Sequence, residues 1–235
     1  MSRRGGVSRG EVAGLNCGLG SGDEPADVAE NRRRAAEAVL PGAQLVSVYQ
    51  VHSPRCVTVT GPWRDDARPE ADALVTATPG LLLAIVTADC APVLLADRKA
   101  GVVAAAHAGW KGAIAGVTDE TIEAMEALGA RREEIVAAIG PCIAQQSYEV
   151  DEAFASRFTR EDSANARFFA AGKPGHWQFD LEGYVAHRLE SAGIVNVERL
   201  GLDTCSDPER FYSFRRATHW GEAAYGRQLS LIGLG

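Results

Sequence analysis

Two histidines and a cysteine stand where the chain changes character. His52 closes the alternating stretch QLVSVYQVH that begins at Gln44. Cys90 follows the apolar run LLLAIV and the step Thr87-Ala88-Asp89, and His107 follows VVAAA and precedes Ala108-Gly109-Trp110-Lys111-Gly112. Side chains at strand ends can converge at one edge of a sheet while the strands bury their own backbone. Imidazole and thiolate are borderline or soft ligands, and three of them plus a water describe an open catalytic zinc site. Zinc would lower the pKa of its water from about 15.7 to roughly 7 and stabilise the thiolate. No HxxxH or CxxC spacing ties the three residues together. They serve equally well for a second chemistry, with Cys90 as nucleophile and His107 as base and no metal.

The remaining chemistry-bearing residues have plainer readings. The glycine-rich stretches at Gly5-Gly6-Val7-Ser8 and Gly18 to Gly22 lack the GK[ST] ending of a phosphate loop and read as turns. Cys142 reads as a buried thiol, Cys17 and Cys56 as incidental, and Cys205 as structural. Arg215 and Arg216 could meet a phosphate or carboxylate, although a solvated or salt-bridged pair is the commoner outcome. Arg32, Arg33 and Arg34 form a helical charge run with at least two members on the surface. His176, His187 and His219 have no matching neighbours. Trp110 either walls a pocket or fills core.

The elements that must position these residues follow from periodicity. Asp27–Leu40 reads as a helix capped by Asp27 and stopped by Pro41-Gly42. Gln44–His52 reads as a strand, Arg64–Glu70 as a charged loop, and Leu81–Thr87, Ala91–Ala96 and Val102–Ala106 as strands. Ala113–Leu128 reads as one helix and Ile135–Ile139 as a short strand. Asp151–Phe158 and Leu181–Ala192 read as helices, and Val195–Leu200 as a late strand. Helices and strands mix without a βαβ rhythm, which points to α+β layers. At 235 residues and 46% hydrophobic the chain suits one domain, residues 1–235, with a full core. A net charge of −7 speaks against coating a nucleic acid. Five scattered cysteines fit a reducing compartment. The N-terminal stretch has no apolar run and LLLAIV is too short to span a bilayer, so the expected location is the cytoplasm and no membrane partner is expected.

Nine segments, in order along nearly the whole chain, resemble the laccase-domain or multicopper polyphenol oxidoreductase family, also described as the peptidoglycan editing factor and purine nucleoside phosphorylase family. They are GGVS at Gly5, VAENR at Val28, QVHS at Gln50, TADCAPVLLAD at Thr87, AAHAGWKG at Ala105, IGPCI at Ile139, YEV at Tyr148, FYSFRR at Phe211 and GRQLSLIGL at Gly226. The resemblance implies a layered α/β sandwich with mixed sheets. It also implies that His52, Cys90 and His107 are metal ligands, for Zn²⁺ or alternatively Cu²⁺, with Cys90 and His107 catalytic. The family is associated with phosphorolysis of adenosine, inosine and methylthioadenosine and with adenosine deamination. A purine nucleoside and phosphate are therefore the expected partners, with a monomer or small homo-oligomer as the assembly. Through the family's NR motif, Arg32 is the cation expected at the phosphate; Lys111 is a further substrate-binding candidate, and Asp89 a catalytic one that orients a ligand or moves a proton.

Three rival readings accompany this one. A copper polyphenol oxidase needs several coppers and more ligands than five histidines supply. A metal-free Cys–His hydrolase could act on cell-wall precursors, and a non-catalytic editing partner would need neither. Family members usually carry a few tens of residues, including a strand, before GGVS, where this sequence has Met1 to Arg4. A missing edge element would affect the pocket wall near Arg4.

Overall fold

Helix α1 spans Pro25–Val39, and its leading proline costs nothing in a first turn whose N–H groups lack helical partners. Then follow β1 (Gln44–Ser47), β2 (Cys56–Thr58), β3 (Ala73–Thr76), β4 (Leu81–Thr87), β5 (Ala91–Asp97) and β6 (Val102–Ala108). Next come α2 (Trp110–Ala115), α3 (Val117–Ala127), β7 (Val136–Ile139), β8 (Glu149–Asp151), α4 (Glu152–Glu161), β9 (Phe169–Ala171) and β10 (His176–Phe179). The chain ends with α5 (Leu181–Ser191), β11 (Asn196–Arg199), α6 (Phe214–Trp220) and β12 (Gln228–Gly233). The structure is a computed structural model describing residues 1–235.

The strands form a six-stranded sheet in the order β11-β7-β5-β6-β3-β2 and two three-stranded sheets, β1-β4-β12 and β8-β10-β9. The six-stranded sheet and the small sheet β1-β4-β12 both mix parallel and antiparallel pairs. The fold is thus the layered α+β sandwich expected from sequence. Between these two sheets lie Val46, Leu74, Leu83, Ile85, Val103 and Ala105. On the far face of the six-stranded sheet, Val75, Val93, Ala104 and Ala106 pack on α3 and α5 through Ile122, Met125, Val185 and Leu189. Ala35 of α1 covers the outer face of the small sheet at Ala84 and Leu229. Strands β4, β5 and β6 therefore bury both faces, and that burial explains their continuous apolar runs.

Register brings the reactive residues together. β5 pairs antiparallel with β6, Ala91 opposite Ala108 and Pro92 opposite His107, so Cys90 and His107 fall at one sheet end. β3 also pairs antiparallel with β6, Ala73 opposite Ala106, which sets Asp72 beside His107.

Several expected elements differ. The first helix starts at Pro25 and not Asp27, with Glu24 at its cap position and Asp27 inside the first turn. The strand expected to run from Gln44 to His52 stops at Ser47, and His52 lies in a loop with φ 61°. The N–H groups of Val51, His52 and Ser53 bond to the Asp72 carboxylate instead of a strand partner. The helix expected over Ala113–Leu128 starts earlier, at Trp110, and breaks at Gly116. Its φ of 94° ends α2 and starts α3, a conformation glycine adopts without strain. His107, expected just beyond a strand, lies within β6. No helix is long and apolar enough to cross a membrane.

Candidate metal centre

His52 comes from the loop after β1, Cys90 from the turn between β4 and β5, and His107 from the end of β6. Their ligand atoms all lie within 4.8 Å of one another. Cys90 Sγ is 4.0 Å from His52 Nε2, and the two imidazole rings meet edge to face at 4.8 Å between centroids. Bonds of about 2.0–2.3 Å set the donors of a tetrahedral zinc shell roughly 3.3–3.8 Å apart, so the trio is close to the spacing that an ion requires. His107 is buried, Cys90 half-buried and His52 exposed, which leaves one side open to a substrate.

Asp72, fully buried, organises the trio. Its carboxylate accepts from His107 Nδ1 at 2.8 Å and from the N–H groups of Val51, His52 and Ser53 at 3.1, 2.9 and 2.6 Å. It also accepts from Ser53 Oγ at 2.9 Å. The His107 bond fixes that ring's tautomer and leaves Nε2 for an ion, the carboxylate–histidine pairing common around zinc. Burial alone would raise the Asp72 carboxyl, but its bonds to His107 and Ser53 outweigh this and hold it down at about 2.

Charge is matched inside the trio. Burial opposes ionisation of Cys90, yet the neighbouring His107 and His52 rings bring its pKa below the ordinary thiol value. Burial likewise lowers His107, and the Cys90 thiolate and Asp72 carboxylate more than offset that, so its pKa rises. The other four cysteines are all shifted upward, chiefly by burial. A low-pKa thiol among histidines is a ready nucleophile or a ready metal ligand.

Two further features make room for the trio. Apart from glycines, the only residues with positive φ are His52, at 61°, and Asp89, at 86°. Such strain clusters at functional sites when the surroundings enforce it. Gly109 opens α2 beside the trio, and a Cβ there would lie 2.9 Å from both Cys90 Sγ and His52 Cδ2. The space a metal would need is thus kept by a missing side chain.

The trio lies in the wall between two cavities, with His52 and Cys90 lining both. One, of about 320 Å³, is lined by Arg32, Arg68, Arg227, Tyr49 and Tyr225. The other, of about 580 Å³, is lined by Trp110, Tyr148, Phe154 and Phe214 with Arg215.

Sequence candidates fall into place unequally. Arg32 is buried and lines the arginine cavity with the trio. Asp89 has both carboxylate oxygens engaged, accepting from Thr204 Oγ1 and from the Arg215 N–H at 2.7 Å each, so it ties the 204–215 segment to the Cys90 turn. Lys111 is exposed, its Nζ 5.6 Å from the Trp110 ring centre, and it lines neither cavity. Arg216 is not solvated: it is buried and donates to the carbonyls of Thr204, Cys205 and Phe211. Asp72 escaped sequence reasoning. Its one signal is a carboxylate set inside the small apolar run Ala71-Asp72-Ala73-Leu74-Val75.

The whole chain, residues 1–235, matches the family described as multi-copper polyphenol oxidoreductase laccase. It is 44% identical to a Deinococcus radiodurans protein named purine nucleoside phosphorylase, over 99% of this chain and 87% of that one. A Mycobacterium tuberculosis protein of the same name is 41% identical over 98% of this chain and 89% of its own. Among solved structures, Bacillus licheniformis YfiH superposes with a TM-score of 0.90 at 31% identity, covering 100% of this chain and 91% of that one. Neisseria meningitidis NMB0706 superposes with a TM-score of 0.88 at 34% identity, covering 99% and 91%.

Proposed function

The chain belongs to the multi-copper polyphenol oxidoreductase laccase family, and from that premise we propose that it is a purine nucleoside phosphorylase centred on His52, Cys90 and His107. Adenosine, inosine and S-methyl-5′-thioadenosine are the substrates, with adenosine deamination a second activity of the same centre. Zinc is the resident ion, with copper the alternative. The protein works in the cytoplasm as a monomer or small homo-oligomer. The relatives named purine nucleoside phosphorylase support the reaction. The observation that carries it is the position of the trio between an arginine-lined and an aromatic cavity.

Phosphorolysis breaks the bond from the sugar's anomeric carbon to the base and forms one from that carbon to a phosphate oxygen. The base leaves with the electron pair and takes up a proton. The reaction needs phosphate held beside the sugar, charge stabilisation, and a seat for the base. Arg32 supplies fixed positive charge on one side of the trio, and the rings of Trp110, Tyr148 and Phe154 offer faces on which a purine can stack. His52, Cys90 and His107 would hold the metal, which when bound supplies Lewis acidity and positive charge. Asp72 holds His107 in the tautomer that presents Nε2, and Asp89 holds the strained turn that presents Cys90.

The test is purified, zinc-loaded protein with inosine, with and without phosphate. Phosphate-dependent ribose 1-phosphate, lost in His52→Ala and in Cys90→Ala, is the expected result; its absence from the wild-type protein overturns the reading. A metal-free Cys–His hydrolase is the second reading, favoured by the low Cys90 and high His107 pKa values. Activity that survives chelation but not thiol alkylation would select it. A laccase needs several coppers, whereas the clustered donors here, the trio, suit one ion.

A further inference from the structure

We propose that the arginine-lined cavity is the phosphate subsite, where Arg68, Arg227 and the Thr87 hydroxyl complete an oxyanion-binding set that Arg32 begins. The inference rests on the phosphorylase reading and locates its second substrate.

Arg32 is buried, yet its nearest carboxylate is the exposed Asp65, 3.8 Å away. Its guanidinium donates only to the Cys17 carbonyl at 3.3 Å and to Ser47 Oγ at 2.9 Å. A buried cation paired only with an exposed carboxylate at the edge of ion-pair range is poorly compensated, and an anion in the cavity would offset that cost. Arg68 spends its guanidinium on two carbonyls, of Asp65 and Val48. The Arg227 guanidinium donates only to Tyr225 Oη, at 3.3 Å. Neither makes an ion pair with a carboxylate. On a chain of net charge −7, three arginines line one cavity and no aspartate or glutamate lines it.

Thr87 supplies an independent signal. It lines the same cavity, it is buried, and its Oγ1 has no hydrogen-bond partner. A buried hydroxyl left unpaired costs free energy. A phosphate oxygen in the cavity would give it an acceptor.

The aromatic cavity is the poorer anion site. Asp89, Glu149 and Asp151 line it, and its one arginine, Arg215, donates to the Glu149 carbonyl and lies over the Tyr148 ring. Its carboxylates repel phosphate, while its rings suit the base. The two cavities thereby divide the two substrates across the trio.

The experiment titrates the full-length protein with inorganic phosphate by calorimetry and measures KM for phosphate and for inosine separately. The variants are Arg68→Gln, Arg227→Gln and Thr87→Val. Each arginine variant is expected to weaken phosphate binding and raise the phosphate KM about tenfold or more. Thr87→Val should do so about threefold or more while leaving thermal stability equal or higher, since it removes an unpaired hydroxyl. The inosine KM should stay within about twofold in all three, as expected when only the phosphate loses contacts. Folded variants with wild-type phosphate affinity and KM overturn the subsite, even if the wild-type protein is a phosphorylase. If the wild-type protein binds phosphate, the variants lose it, and no nucleoside is cleaved, the subsite stands and the phosphorylase reading falls.

Discussion

Asp72 receives five hydrogen bonds from two separate segments, four from the His52 loop and one from His107. One carboxylate therefore sets the position of one histidine and the tautomer of another. Asp72→Asn keeps the size but loses the charge and one acceptor oxygen, so it should lower zinc affinity by about 10- to 100-fold. Competition with a chromogenic chelator measures this; an unchanged affinity would show that the His52 loop holds itself. Cys90 carries a second prediction. A lowered pKa means that thiolate forms at lower pH, so the rate of iodoacetamide alkylation should rise and level off below the pH at which an ordinary thiol does. The four upward-shifted cysteines should react slowly throughout. Peptide mapping across a pH series reads this directly, and bound zinc should protect Cys90. Equal labelling of all five cysteines would remove the claim of an activated thiol.

The elements that carry the trio were legible to different degrees. β4, β5 and β6 stood out because strands buried on both faces must be apolar throughout, and their ends located Cys90 and His107. Alternation over Gln44–His52 predicts strand to its end, but the N–H groups of the His52 loop bond to a side chain twenty residues away, a pairing that periodicity does not encode. The same distance hid Asp72, since only the β3–β6 register makes it a neighbour of His107. Arg68 and Arg227 were silent for a related reason: their sequence neighbours say nothing about a shared cavity. Gly109 could be read as part of a turn, but its purpose appears only when the trio surrounds it. Its φ of −67° suits any residue, so Gly109→Ala tests space alone. The added methyl should displace Cys90 or His52 and weaken zinc binding at least about tenfold, while the melting temperature changes little because no left-handed backbone is lost. Retained zinc affinity would mean that the centre relaxes around the methyl.

At the scale of the whole molecule, β6 joins two cores and ends in the reactive centre. Its residues alternate, Ala104 and Ala106 facing the helices and Val103 and Ala105 facing the small sheet. Small side chains let both layers approach the strand, so His107 is held by packing on each face. Overpacking at Ala105 should therefore do two things at once. Ala105→Leu should destabilise the fold by about 1–3 kcal/mol and, by shifting the strand, weaken zinc binding. Leu189 of α5 is equally buried but belongs only to the helical side of the large core. Leu189→Ala should cost about 2–5 kcal/mol through a cavity, yet leave zinc affinity unchanged in the folded protein because nothing near β6 is pushed. Urea unfolding and zinc competition on the same two variants separate the effects. If both variants lose stability and neither loses zinc affinity, the centre is fixed by Asp72 and its loops alone. The double-sided packing of β6 would then serve the fold but not the site.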